Sequence, residues 1–323
     1  MTTTFESSRI GLSRRRFISA LTALSAMSAT AACGSPKPGR VAGPPDADAP
    51  ETVVLSRALD DRFAAIEDRY VVRLGVHARS TASGRTYAYR ADDRFAMCST
   101  FKVYAAAAIL RLESEGALRL DEAVPIDPQD IVVHSPVTSE HQGRVMTIDR
   151  LCDAALTRSD NTAGNLLLRR LGGPDAITAF ARSVGDGATR LDRWEPELNT
   201  ADRGDERDTT TPSGLARGFE AVLLGSALPA AQQRTLLGWM RATTTSDTRI
   251  RAGLPPGWTS ADKTGGGMHG TVNDAGAVWS PEGDPLLLVI LSDSTTGHPD
   301  APLEGGPVAE ATAALVDVLH AVP

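Results

Sequence analysis

The chain has 323 residues, of which 41% are apolar and 23% charged, a balance that suits a folded globular protein of one large domain or two modest ones. A net charge of −7 and a pI near 5.4 argue against a nucleic-acid partner, which would call for a basic face. No apolar run beyond the N-terminus is long enough to span a bilayer.

The first segment, "LSRRRFISALTALSAMSATAAC", sets Arg14, Arg15 and Arg16 before a mild apolar run and then small residues. This layout predicts a signal peptide over residues 1–33, and "SRRRF" resembles the twin-arginine export motif. Cys33 closes the run in "TAAC", a pattern similar to a lipoprotein cleavage box, in which the cysteine becomes the lipidated first residue; Thr30 stands where leucine is usual. The expectation is an exported protein, periplasmic or in the cell envelope, lipid-anchored through Cys33, or secreted after simple cleavage. Residues 34–50, "GSPKPGRVAGPPDADAP", read as a flexible linker, and residues 51–323 as the folded domain.

Within that domain, Val54, Leu55, Leu59, Phe63 and Ile66 share one face of a predicted helix. Two alternating runs around "TASG" (81–84) predict a β-hairpin. Residues 100–245 are mostly helical in pattern. In "TFKVYAAAAILRLESEGA" Phe101, Ala105, Ala108 and Leu112 fall on one face, and "TIDRLCDAALTRSDNTAGNLLLRRLGG" and "GPDAITAFARSVG" each close on glycine. "GWTSADKTG", "HGTVNDAGAVWSP" and "PLLLVILSDS" read as three strands, and "GGPVAEATAALVDVLHAV" as a closing amphipathic helix. An isolated hairpin is marginal, so the strands at the two ends of the domain must pair in one sheet. The expected fold is an α/β lobe (about 51–98 plus 248–323) with an inserted all-α lobe (about 99–247) and a ligand cleft between them.

Cys98 and Cys152 are the cysteines downstream of Cys33, and the histidines at 77, 134, 141, 269, 298 and 320 show no metal-ligand spacing. No metal or cofactor is expected.

Lys37, Lys102 and Lys263 are the chain's three lysines; every other basic side chain is arginine. "STFK" sets Ser99 and Lys102 three residues apart at a helix start, on one face. A serine needs a base to become a nucleophile. A desolvated lysine can give up its proton, whereas a guanidinium does not. "SDN" offers Ser159 and Asn161, which an extended turn would point the same way. "KTG" offers Lys263, Thr264 and Gly265, followed by Gly266 and Gly267, so that a charge, a hydroxyl and close backbone N–H groups meet a ligand.

Taken together, S-x-x-K, S-D-N and K-T-G in this order resemble the class A serine β-lactamases and their penicillin-binding relatives. "RWEPELN" (193–199) resembles the Ω-loop of the β-lactamase branch, with Glu195 as its acid, Asn199 as its helper and Arg193 and Asp208 placed to close the loop by a salt bridge. Glu197 reads as a solvated neighbour. The resemblance covers residues 55–320. It implies a five-stranded antiparallel sheet flanked by N- and C-terminal helices, and hydrolysis of penicillins and cephalosporins through an acyl-serine, which confers β-lactam resistance.

The resemblance further implies Ser99 as nucleophile, Lys102 or Glu195 as its base, Ser159 as proton relay, and Ser99 and Gly266 N–H groups as oxyanion hole. Asn161, Asn199, Lys263, Thr264, Gly265 and Gly266 would bind substrate. Val272 stands where one group of relatives carries an arginine, so the arginine for the substrate carboxylate is expected at Arg249, with Arg251 as competitor. His134 holds a cleft-edge position that is usually aromatic. The disulfides known at Cys98 and Cys152 in some relatives are not expected, because the partner positions fall on Gly267 and Ala106. A monomer with a small-molecule substrate is expected. The competing readings are a penicillin-binding D,D-peptidase and a β-lactam sensor that stays acylated.

Overall fold

Leu59, Phe63 and Ile66 are the buried stripe of α1 (Ala49–Tyr70), as their spacing requires. In the computed structural model, secondary structure is described for residues 49–320 and side chains for 56–320; the expected signal peptide, Cys33 and most of the linker lie outside the described residues, as do the side chains of Val54 and Leu55.

The predicted hairpin is β1 (Val72–Ser80) with β2 (Thr86–Tyr89), and a short β3 (Phe95–Ala96) follows. The central block runs α2 (Phe101–Ser114), β4 (Ala123–Pro125), β5 (Val145–Thr147), α3 (Ile148–Thr157), α4 (Asn161–Leu171), α5 (Asp175–Ser183), β6 (Thr209–Thr210), α6 (Pro212–Leu223), α7 (Ala230–Arg241) and the short α8 (Ile250–Gly253). The chain closes with β7 (Thr259–Gly267), β8 (Thr271–Trp279), β9 (Pro285–Ser294) and α9 (Gly306–Leu319). The sheet is five-stranded and antiparallel throughout, in the order β2-β1-β9-β8-β7, so the two ends of the domain meet where β9 pairs with β1.

Strand periodicity explains how one sheet serves two cores. On β9, Leu286, Leu288 and Ile290 turn to α1 and α9, whereas Leu287, Val289 and Leu291 turn to the helical lobe. Both faces are covered, and β7 is left as an edge strand. An edge offers unpaired backbone N–H and C=O groups, and this one carries Lys263 through Gly267.

Three local expectations change. The single apolar face expected for α2 is replaced by burial on every side from Phe101 to Leu110, because α2 is the central helix packed by α3, α4, α5 and α7; Leu112 is only half-buried. The run from Thr147 to Gly173 is two helices, broken at Ser159–Asp160, where Asp160 caps α4 by accepting from Ala163 N (2.8 Å). The helical block also holds the β4–β5 ribbon and β6, which pairs with β3 just before the block, and α6 packs on the sheet.

Candidate active site

A helix needs its first turn fixed if the side chain just before it is to be aimed. Ser99 sits in a 3₁₀ turn (Cys98–Thr100) leading into α2, after Cys98 at φ +46°. The approach to this turn is held from two sides: Met97 N donates to Asp208 O (3.0 Å), and Asn273 Nδ2 on β8 donates to Ala96 O (2.9 Å) and Met97 O (3.2 Å). Strand β7 comes so close that a Cβ on Gly265 would stand 2.8 Å from Met97 O. Only glycine permits that approach.

Lys102 is fully buried, and its amine is ringed by oxygens. Nζ donates to Ser99 Oγ (2.9 Å), Ser159 O (2.9 Å) and Asn161 Oδ1 (2.7 Å), and stands 3.0 Å from Glu195 Oε1. Ser99 Oγ is itself 3.4 Å from Glu195 Oε1. A buried ion pair tolerates its desolvation only when the remaining lone pairs and protons are satisfied, and this cluster nearly closes that account. A proton can move between serine, amine and carboxylate without leaving the cluster.

Glu195 is held by its backbone and its tip. Asn165 on α4 accepts from Glu195 N (2.9 Å) and donates to Glu195 O (2.8 Å), while Asn199 Nδ2 donates to Glu195 Oε2 (2.5 Å). The oxygen of that carboxamide, Asn199 Oδ1, is buried with no partner within the protein. Arg193 and Asp208 join the loop ends at 2.5 Å, with Asp208 also accepting from Asp192 N and Arg193 N.

Ser159 and Asn161 do reach one cleft, but not through an extended turn. Ser159 has φ +55°, and Asn161 is the first residue of α4. That kink points Ser159 Oγ at Lys263 Nζ (3.0 Å), and Lys263 also donates to Thr264 O (2.8 Å). Lys263 is fully buried, and burial, reinforced by the positive charge of Lys102, holds its amine well below the usual lysine range. Thr264 Oγ1 bonds Thr245 Oγ1 (2.7 Å).

The two candidate arginines separate clearly. Arg249 lines the cleft and donates to Gly265 O and Asn273 O, each at 2.7 Å. Arg251 donates to Thr243 O, Arg241 O and Ser260 Oγ and is not part of the cleft wall. His134, at φ +59°, stands at the cleft edge with its pKa lowered by burial first and then by Lys102 and Lys263. The cleft has a volume of about 810 Å³. Its floor is polar, from Ser99, Ser159, Asn161 and Thr264 to Gly267, and its rim is apolar at Val133, Pro196, Met268 and Leu303. Cys98 and Cys152 are free, buried thiols, and burial pushes both pKa values up.

Sequence reasoning missed the residues that hold this cluster in place. Asn165 lies one helical turn after Asn161, which puts both on one side of α4; that spacing was the available signal. Asp160 holds the 137–138 loop by accepting from Val137 N, Thr138 N and Thr138 Oγ1. Asp262 and Asp274 form a buried acid pair behind Lys263. Asp274 accepts from Ser246 Oγ and Ile250 N, and its carboxyl is pushed up to about 7 by burial and by the charge of Asp262.

With this geometry in hand, residues 58–318 match the β-lactamase enzyme family. The chain belongs to it. A β-lactamase of Nocardia asteroides is 46% identical over 306 residues, covering 95% of this chain and 96% of that one. A β-lactamase of Mycobacterium tuberculosis is 45% identical over 83% of this chain and 88% of its own. Among solved structures, a β-lactamase of Desulfarculus baarsii superposes with a TM-score of 0.80 at 45% identity, over 83% of this chain and 99% of that one. An ancestral class A β-lactamase superposes with a TM-score of 0.77 at 48% identity, over 80% and 99%. The expected two-lobed α/β fold and the class A assignment both stand.

Proposed function

We infer that this class A enzyme hydrolyses the β-lactam ring of penicillins and cephalosporins through an acyl-serine at Ser99, with resistance to those drugs as the result. The observation that carries the assignment of roles is the cluster in which Lys102 Nζ lies 2.9 Å from Ser99 Oγ and 3.0 Å from Glu195 Oε1.

In the proposed sequence Ser99 Oγ attacks the lactam carbonyl and its proton leaves over the shorter path, to Lys102, which takes it on the lone pair of a neutral amine, with Glu195 as the longer path at 3.4 Å. The developing oxyanion accepts from the backbone N–H groups of Ser99 and Gly266, which line one cleft; a donor of this kind is worth about 3 kcal/mol. The C–N bond breaks and the ring nitrogen takes the proton of the Ser159 hydroxyl, which is replenished from Lys263 Nζ at 3.0 Å, while the Ser159 carbonyl accepts from Lys102. Arg249, Lys263 and Thr264 receive the substrate carboxylate, Asn161 and Asn199 bind its amide, and His134 borders the cleft mouth. Glu195 then takes a proton from water, the hydroxyl adds to the acyl carbon, and Ser99 leaves with its proton restored. Asn199 Oδ1, unpaired within the protein, is an acceptor for that water.

A D,D-peptidase or a sensor that stays acylated needs no carboxylate beside its nucleophile, and the placement of Glu195 disfavours both. The test is hydrolysis of benzylpenicillin and a cephalosporin by the purified protein, with its mass measured during turnover. Many turnovers per protein with little acylated species support a hydrolase, whereas one acylation event followed by arrest overturns it.

No helix among the described residues is long and apolar enough to cross a membrane. We extend the proposal to export of a monomer by the twin-arginine signal and lipid attachment at Cys33. Mass spectrometry of the mature N-terminus checks this, since a lipidated Cys33 and an unmodified start elsewhere differ by hundreds of daltons.

A further inference from the structure

The loop from Arg193 to Asp208 carries Glu195 and Asn199, and its two limbs are fastened differently. The inner limb is braced by Asn165 and by the Arg193–Asp208 pair. The outer limb, "ADRGDER" (201–207), has no apolar side chain larger than Ala201 and stands across a cavity of about 510 Å³ from β1, β3 and β9. Hydrophobic packing therefore cannot hold it, and polar ties must.

Arg203 supplies the main tie. Its guanidinium donates to Asp293 Oδ1 at 2.9 Å and to Ser294 O, so it spans a side chain and the backbone of β9. Asp293 is almost fully buried, and its other oxygen accepts from Arg73 Nη2 at 2.7 Å; Arg73 in turn donates to Arg94 O and lies 4.0 Å over the Phe95 ring. An isolated exposed ion pair holds little. This one has its acceptor fixed beforehand on a strand, which removes much of the ordering cost.

The tie leads back to the chemistry through contiguous hydrogen bonds. Ser294 N donates to His269 O (2.9 Å), and the preceding residue, Met268, donates from N to Asn199 O (2.9 Å). Asn199 donates to Glu195 Oε2. We propose that Arg203 is a positioning residue for deacylation: by pinning the outer limb of the loop to Asp293 and Ser294 of β9, it holds Asn199 against Glu195. Acylation depends on Ser99, Lys102 and Ser159, none of which the outer limb touches, so the two half-reactions should separate. The proposal rests on Glu195 being the deacylating base.

The experiment uses the full-length protein carrying Arg203→Ala, Arg203→Lys, Asp293→Asn and the Arg203→Ala/Asp293→Asn double change, with Glu195→Gln as reference. Acylation by a chromogenic cephalosporin is followed by stopped flow, and deacylation by the decay of acylated mass. Arg203→Ala and Asp293→Asn should each slow deacylation about 5–20-fold with acylation within about twofold, and the double change should add nothing further. Arg203→Lys should recover part of the loss. Hydrogen exchange of amides 199–207 should accelerate in the same variants. Unchanged deacylation with unchanged exchange, or an equal fall in both half-reactions, overturns the latch. If Glu195→Gln deacylates normally, the base assignment fails instead, and the exchange data then decide the latch alone.

Discussion

At Lys102 one nitrogen must reach four oxygens in a fully buried pocket, and α4 comes so near that a Cβ on Gly164 would stand 2.9 Å from Lys102 Cε. A guanidinium is wider, planar and permanently protonated, so it neither fits nor exchanges a proton. Lys102→Arg should retain the positive charge yet lower kcat/KM by about 10²-fold or more, read in steady state with the folded fraction checked by circular dichroism. Activity within tenfold of the parent would mean that charge alone suffices there.

Asp274 gives a second prediction at this scale. Its folded pKa, about 7, lies above the ordinary aspartate value of 3.8, so the native state binds the proton more tightly than the unfolded chain. Stability from this group is therefore fully present below about pH 4 and is lost as pH rises through 7. The charged groups around it are Asp262, Arg249 and Lys263. Lys263, whose pKa is depressed, contributes the opposite slope, so the comparison must be between variant and parent. Asp274→Asn imitates the protonated acid. Relative to the parent it should gain on the order of a few kcal/mol between pH 4 and 8, measured by thermal melts, with little difference left at the acid end. A constant offset across that range would show that the pair does not hold a proton.

At the scale of elements, the edge strand β7 is shaped by which glycines are sterically required. A Cβ on Gly267 would lie 2.7 Å from Asn199 O and 2.8 Å from Cys98 Sγ, pressing the Glu195 loop away from the Ser99 turn. A Cβ on Gly266 meets nothing nearer than 3.7 Å. Gly267→Ala should cost about 1–3 kcal/mol and lower Tm by about 3–10 °C, with slowed deacylation, whereas Gly266→Ala should melt as the parent does. Equal melting of both would show that the loop yields freely. The expectation that these glycines serve backbone approach thus divides: close packing demands it at Gly265 and Gly267, and at Gly266 it does not.

Across the whole molecule, much of the architecture was legible because it follows from closure. Strands at the two ends of the domain had to pair, and β9 against β1 is where they do. The motif residues were legible because Ser99, Lys102, Ser159, Asn161, Glu195 and Lys263 stand at motif spacings, and the fold brings them into hydrogen-bond range of one another. What stayed hidden was mainly support. Asn165 and Asn273 look like ordinary helix and strand asparagines until the backbone each holds is known. Nothing in the sequence marks Asp262 and Asp274 as buried, since alternation alone does not reveal a sheet covered on both faces. Ser159 and His134 adopt left-handed backbone that no residue-type preference announces for serine. The run Ala105–Ala108 gives a one-sided reading, yet small side chains are what allow four helices to close around α2.

If Glu195 completes the cycle that Ser99 and Lys102 begin, removing it should trap the intermediate. Glu195→Ala should be mixed with excess benzylpenicillin, quenched in acid at intervals, and weighed. The acyl adduct on Ser99 should form and persist, with turnover reduced by about 10²–10⁴-fold. A variant that turns over like the parent without accumulating adduct would contradict it.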